Sequence, residues 1–161
     1  MQVSGCEIVG SIDGKEIGEF VCQESEICTD QEVYVTQKAQ SGNARVFTIE
    51  VRFENKSTTP VYLRRCRPDS PAPIYSFLLL DNDDEWGSAY NSAWACVGHS
   101  NHILVPAGAF RIDSIHVRGP NAFQNNQILG VLSGKHQIVF ETVPCCGAEG
   151  RNISSNIFNV E

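Results

Sequence analysis

Residues 46–53 read Val-Phe-Thr-Ile-Glu-Val-Arg-Phe, and this stretch decides the fold. Phe47, Ile49, Val51 and Phe53 share one parity; Thr48, Glu50 and Arg52 share the other. Successive side chains of an extended chain point to opposite faces. Strict alternation therefore predicts a strand with one face buried and the other in water. An amphipathic helix would need apolar residues at three- and four-residue spacing instead.

Working outward, Glu54 to Pro60 supplies a polar turn, and Val61 to Leu63 the next strand, with Pro60 at its edge where a missing N–H does least harm. Upstream, Val33 and Val35 open a short strand. Downstream, Pro68, Pro71 and Pro73 mark a loop before an apolar strand at Ile74 to Leu80. Asp81 to Glu85 reads as a turn, with Trp86 to Tyr90 returning as the hairpin partner of that strand. Trp94 to Val97 is short and apolar, and Ile103 to Val105 leads into a Pro106-Ala107-Gly108 turn. In Phe110 to Val117 the parity changes: Phe110 and Ile112 share one, Ile115 and Val117 the other. One extra residue near Asp113-Ser114 would restore a single apolar face, so a bulge is expected there. Residues 119–134 are rich in Gly, Pro and Asn and read as a long connection with room for one helical turn. His136 to Val143 is a further strand with Ile138 and Phe140 inward, and Ile157 to Val160 closes the sheet.

Seven to nine short strands without an amphipathic helix predict an all-β, immunoglobulin-like antiparallel β-sandwich over residues 33–161. Residues 1–32, polar and Glu-rich, read as a tether and lead-in with a short strand at Glu16 to Cys22.

The chain has 161 residues, enough for one domain, and 42% of them are hydrophobic, an ordinary globular fraction. No apolar run approaches the roughly 18–20 residues a membrane-spanning helix needs. A net charge of -7 disfavours nucleic acid and anionic lipid, which both require a positive field. The one basic knot, Arg64, Arg65 and Arg67 around Cys66, reads as a solvated loop beside a proline.

Seven cysteines, Cys6, Cys22, Cys28, Cys66, Cys96, Cys145 and Cys146, are many for a reducing cytosol, and no C-x-x-C pair offers a zinc ribbon. Disulfides in an oxidising compartment are the better account. Residues 3–6, Val-Ser-Gly-Cys, match a bacterial lipobox. Lipidation of Cys6 would leave an even six thiols. Neither a basic region nor an apolar stretch precedes Cys6 here, so the reading requires a trimmed leader. Six cysteines allow fifteen pairings. We expect Cys66 with Cys96, worth about 3–4 kcal/mol of unfolded-chain entropy in the loop-closure model. Cys22 with Cys28 is the second expectation, with Cys145 and Cys146 left over. A vicinal bridge between those two is strained, so one of them is an alternative partner for Cys22 or Cys28.

The segments FTIEVRFENKSTTPVYL, PIYSFLLLDNDDEWG, ILVPAGAFRIDSIHV and GKHQIVF resemble a loose pattern in immunoglobulin-like domains of uncharacterised bacterial secreted lipoproteins. The layout is also similar to the intracellular proteinase inhibitor family of bacilli. The resemblance covers about residues 44–143 and rests on turn and strand signals, so it implies a fold far more than a function. The family's Pro-Gly turn appears as Pro-Ala-Gly, and the cysteines do not suit an intracellular inhibitor.

Three constellations have chemistry to offer. Cys96, His99 and His102 stand as C-x-x-H-x-x-H, a soft donor set for Zn or Cu. We read Cys96 instead as a disulfide partner and both histidines as residues of a polar loop. A blue-copper site would also need a nearby Met, and the sole Met is Met1. Gly98-His99-Ser100-Asn101-His102 falls one glycine short of the hydrolase elbow. Asp81, Asp83, Asp84 and Glu85 cluster at one turn, but Gly87 misses the EF-hand glycine position, and these are ordinary turn residues. Asn55-Lys56-Ser57 and Asn152-Ile153-Ser154 fit glycosylation sequons, which we read as turn chemistry.

The expectation is a non-catalytic module, extracytoplasmic and lipid-anchored at the periplasmic or cell-surface side, monomeric, without cofactor. Its partner would be an unknown protein or envelope component. It would not bind nucleic acid and would meet membrane only through the lipid. A proteinase inhibitor inserting Arg64 to Pro73, or a metal protein using Cys96, His99 and His102, are the alternatives.

Overall fold

In the computed structural model, which describes residues 20, 25–66, 70, 72–80, 87–90, 101–120, 130–144 and 149–161, the alternating stretch lies inside a ten-residue strand. Phe47, Ile49, Val51 and Phe53 are all buried, while Thr48, Glu50 and Arg52 face outward, as their parity requires.

The described residues form β1 (Ile27–Thr29), β2 (Val33–Tyr34), β3 (Gln37–Lys38), β4 (Arg45–Glu54), β5 (Val61–Arg65), β6 (Tyr75–Leu79), β7 (Asn101–Val105), β8 (Phe110–Gly119), β9 (Gly134–Val143), β10 (Arg151–Ser154) and β11 (Phe158–Val160). They make an all-β sandwich of two sheets. In the first sheet, β8 pairs along the whole of β4, and β1 and β3 share the opposite edge of β4. In the second, β9 is central. β10 and β11 line one side of it, β5 and β6 the other, and β2 and β7 lie outside β11 and β5. The β2–β11 pair is parallel; every other strand pair is antiparallel.

The core lies between the sheets. Ile49, Val51, Ile115 and Val117 from the first sheet meet Leu63, Phe77, Ile138 and Phe140 from the second. At one end an aromatic group fills the gap. The Phe47 ring lies 5.4 Å from Tyr34 and 5.2 Å from Tyr90, and Phe158 lies 5.3 Å from Tyr34. Phe47 with Tyr90 and Phe158 with Tyr34 meet edge to face, as the aromatic quadrupole favours, while Phe47 and Tyr34 are tilted at 36°. His136 is fully buried in this group, stacked on Phe158, with its Nδ1 2.9 Å from the Gly134 carbonyl.

Several expectations change. The bulge in β8 is absent: pairing with β4 runs unbroken from Arg45–Gly119 to Glu54–Phe110. The parity conflict is settled by a charge. Asp113 turns inward with Ile115 and Val117, is 4% exposed, and takes both Nε and Nη2 of Arg111. Phe110 stays on the outer face beneath the Arg52 guanidinium. Gly87–Tyr90 is bridged to Val131 through Ser88, not paired with β6 as a hairpin. The sheet also begins before residue 33, since β1 is wholly buried in the first sheet. β3 and β10 were not expected.

Two turns are locked by Asn55, which is 2% exposed. Its Nδ2 donates to the carbonyls of Thr59 (2.8 Å), Val105 (3.0 Å) and Pro106 (3.2 Å), while its Oδ1 accepts from the Ser57 N–H and hydroxyl. The β4–β5 turn is thereby tied to the β7–β8 turn, where Gly108 adopts φ 70° and donates to the Asn55 carbonyl.

Candidate binding pocket

β5 and β6 occupy one line against β9. Between the Leu63–Thr142 and Tyr75–Phe140 pairs, β9 advances from residue 142 to 140 while the facing chain advances from 63 to 75. The line therefore continues after an excursion by the residues between the two strands. The Ile74 N–H donates to the Arg64 carbonyl at 2.8 Å and closes the base of that excursion. Beside it, Arg64 Nε lies 3.4 Å from Glu141 Oε2. β5 stays paired with β7 as it leaves β9, through Arg64–His102 and Arg65–Asn101.

The excursion reaches across the sandwich to β8, in the other sheet. Cys66, Ser70, Ala72, Pro73, Ile74 and Tyr75 form one wall of a pocket of about 260 Å³, and Ser114, Ile115 and His116 of β8 form the other. The walls are mainly apolar. Ser114 and His116 stand on the exposed parity of β8, and His116 Nδ1 lies 3.4 Å from Thr48 Oγ1 on β4. No carboxylate lines the pocket among the described residues. The arrangement suits an apolar group held between rigid walls with polar atoms at the rim.

Two tyrosines have strongly displaced acidity. Burial, then the hydrogen bond and charge of Asp30, push Tyr34 well above the usual phenol value; its hydroxyl donates to Asp30 Oδ1 at 2.6 Å. Burial pushes Tyr90 up to about 12, against a lowering by the Arg45 cation. Both are structural groups of the core, away from the pocket lining.

The residues singled out in the sequence are scattered. Cys66 lines the pocket and Cys28 is buried in β1. Cys6, Cys22, Cys96, Cys145 and Cys146 lie outside the described residues, as do His99, Ser100, Arg67 and the Asp81–Glu85 turn. His102, expected on a polar loop, is the second residue of β7, is buried, and meets Tyr62 edge-on. Among the described residues, no three His, Cys, Asp or Glu side chains are grouped to hold a metal. Asn55 spends its amide on turn carbonyls, as the turn reading of that sequon requires, whereas Asn152 is exposed on β10. Ser114 and His116 were not singled out for this role. Only the facing position of the excursion reveals them, and no local sequence signal carries that.

No protein-family model matches the chain, and no curated protein matches it. Among solved structures it is similar to the ASH/PapD-like domain of human CEP192 (PapD-like domain 7), at 14% identity over 96% of each chain with a TM-score of 0.34. That is an all-β neighbour of the immunoglobulin-like and PapD-like kind, too distant to carry an argument about what this chain does.

Proposed function

We propose that the chain is a non-catalytic binding module that receives an apolar group of its partner in the pocket between the Cys66–Tyr75 segment and β8. The observation that carries this reading is the excursion itself. A strand line along β9 is interrupted, and the described residues Cys66, Ser70, Ala72, Pro73 and Ile74 between the two strands enclose space with β8 of the opposite sheet. Binding residues carried on loops that a rigid sandwich positions are a common arrangement. The inhibitor alternative has less support, because Pro73 is buried and Cys66, Ser70 and Ala72 are half-buried, where an inserting loop should project.

We further propose that the module is exported and anchored through a lipid on Cys6, with disulfides Cys66–Cys96 and Cys22–Cys28. The seven cysteines of the chain, many for a reducing cytosol, support this reading. Metal binding by Cys96, His99 and His102 remains the least supported alternative.

The pocket reading is tested by panning a random peptide library against the folded chain and against Ser114→Trp, which fills the pocket from β8. Enrichment of peptides with an apolar anchor that fail on Ser114→Trp is expected. No enrichment, or peptides indifferent to the substitution, would refute it. Export is tested separately, by palmitate incorporation that Cys6→Ser abolishes.

A further inference from the structure

β8 is an outer strand: among the described residues it pairs with β4 alone, along its whole length. The bonds of β4 show which backbone groups of β8 remain. On its other side β4 gives the Glu50 carbonyl to the Asp30 N–H and the Glu54 N–H to the Glu26 carbonyl, so its even-numbered residues turn their backbone toward β1. Its odd-numbered residues therefore bond β8, through Arg111, Asp113, Ile115, Val117 and Gly119. The N–H and C=O groups of Ile112, Ser114, His116 and Arg118 point off the edge of the sheet, over roughly 20 Å.

The pocket lies against this margin. Ser114, Ile115 and His116 line it consecutively, although Ile115 is buried and its two neighbours are exposed, so the pocket borders the edge of the strand and not one of its faces. Two of the four outward backbone positions are thus pocket residues. Charge narrows the occupant. No acid lines the pocket or stands outward on β8 among the described residues, in a chain whose net charge is -7. The fixed cation there is Arg118, which donates to the Ser41 carbonyl at 3.2 Å. The β4 residues opposite His116 and Arg118 are the uncharged Thr48 and Val46. Asp113, the acid of β8, is turned inward and spent on Arg111. An inward charge discourages indiscriminate pairing at an edge, so pairing here needs the pocket as a second anchor.

We infer that the apolar group taken by the pocket belongs to an extended, acidic polypeptide segment that adds to β8 as a further strand. The inference rests on the pocket reading above and names the form of the partner. An apolar residue sits between the Cys66–Tyr75 segment and β8, its backbone bonds Ser114 and His116, and an acid lies near Arg118. About seven extended residues cover the edge from Ile112 to Arg118. Main-chain bonds hold such a segment, and the pocket selects its side chain.

The probe is the blocked heptapeptide TETLTET, whose two acids bring one toward Arg118 in either strand direction. Beside it stands N-acetyl-leucinamide, which has the apolar side chain without the strand. Both are titrated into the full chain up to about 1 mM, and Ser114→Trp should abolish binding of each. TETLTET should bind at least about tenfold tighter than the leucinamide. Of two forms of TETLTET N-methylated at alternate residues, one should lose at least about tenfold and the other little, since only one set of N–H groups faces β8. Exchange of the Ser114 and His116 amide protons should slow on binding, whereas that of Ile115, already bonded to β4, should not change. Arg118→Glu should weaken TETLTET severalfold and leave the leucinamide unaffected. Equal affinity of the two probes, or both N-methylated forms binding like the parent, overturns the added strand and leaves the pocket reading standing. Absence of binding by either probe, or binding indifferent to Ser114→Trp, overturns both. Slow exchange at Ser114 and His116 that grows with protein concentration before peptide is added would put a second copy on the edge and overturn the inference.

Discussion

The Asp113 carboxylate, turned into the sandwich from an outer strand of the first sheet, is gripped by both Nε and Nη2 of Arg111 two residues away. The Asp113 side chain is 3% exposed and that of Arg111 24%. An inward charge on such a strand discourages edge-to-edge pairing with other chains.

Removing only the acid strands the guanidinium. Asp113→Ala should cost about 2–4 kcal/mol in urea unfolding. Replacing both residues by Leu should cost less than Asp113→Ala alone, because no unpaired charge is left. The double variant should aggregate more readily on refolding, measured by light scattering.

The Tyr90 hydroxyl is buried and has no hydrogen-bond partner among the described residues. Tyr90→Phe should therefore be neutral or stabilising by about 1 kcal/mol. It should also change the alkaline limb. The folded Tyr90 holds its proton up to about 12, above the ordinary phenol value near 10. That stability is complete below about pH 10 and is lost as pH climbs toward 12, because the unfolded chain ionises first. Between those values Tyr90→Phe should lose stability less steeply than the parent, by about 1.4 kcal/mol per pH unit. Tyr34 acts with the same sign, so the variant should keep a residual slope.

Gly119 sits against the ring of Tyr90, and a Cβ there would lie 2.6 Å from Cδ1 and 2.7 Å from Cε1. The ring is fixed between Phe47 and Phe77 and cannot swing aside. Gly119→Ala should destabilise by about 1–3 kcal/mol through overpacking. Tyr90→Phe, which keeps the ring, should not rescue it.

Asn55→Asp should be nearly as damaging as Asn55→Ala, at about 2–3 kcal/mol. The acid keeps the acceptor that holds Ser57 but sets a carboxylate against three carbonyl oxygens. Thermal melting of the two variants beside the parent tests this.

Much of the sandwich is legible in the sequence because burial on one face imposes period two. Phe47 to Phe53 and the Ile138, Phe140 pair illustrate this, and both sets are buried. β8 was misread where a polar residue took a core position. Asp113 breaks the apolar count, and only its pairing with Arg111 explains why the strand tolerates it. β1 was hidden because Ile27-Cys28-Thr29 is short and buried on every side, so it has no alternation to read. The pocket was not legible at all. The prolines announce a loop after β5, but its landing on Ser114 and His116 depends on how the two sheets stack.

The way β5 and β6 both rest on β9 has a consequence for how this protein can change. Leu63 and Tyr75 fix the two ends of the intervening segment independently of what joins them. Doubling the length of a flexible connection costs only about 0.6 kcal/mol in closure entropy. With Cys66 retained, the rest of that segment is thus an exchangeable cassette, and new recognition sequences grafted between these two anchors should leave the framework standing.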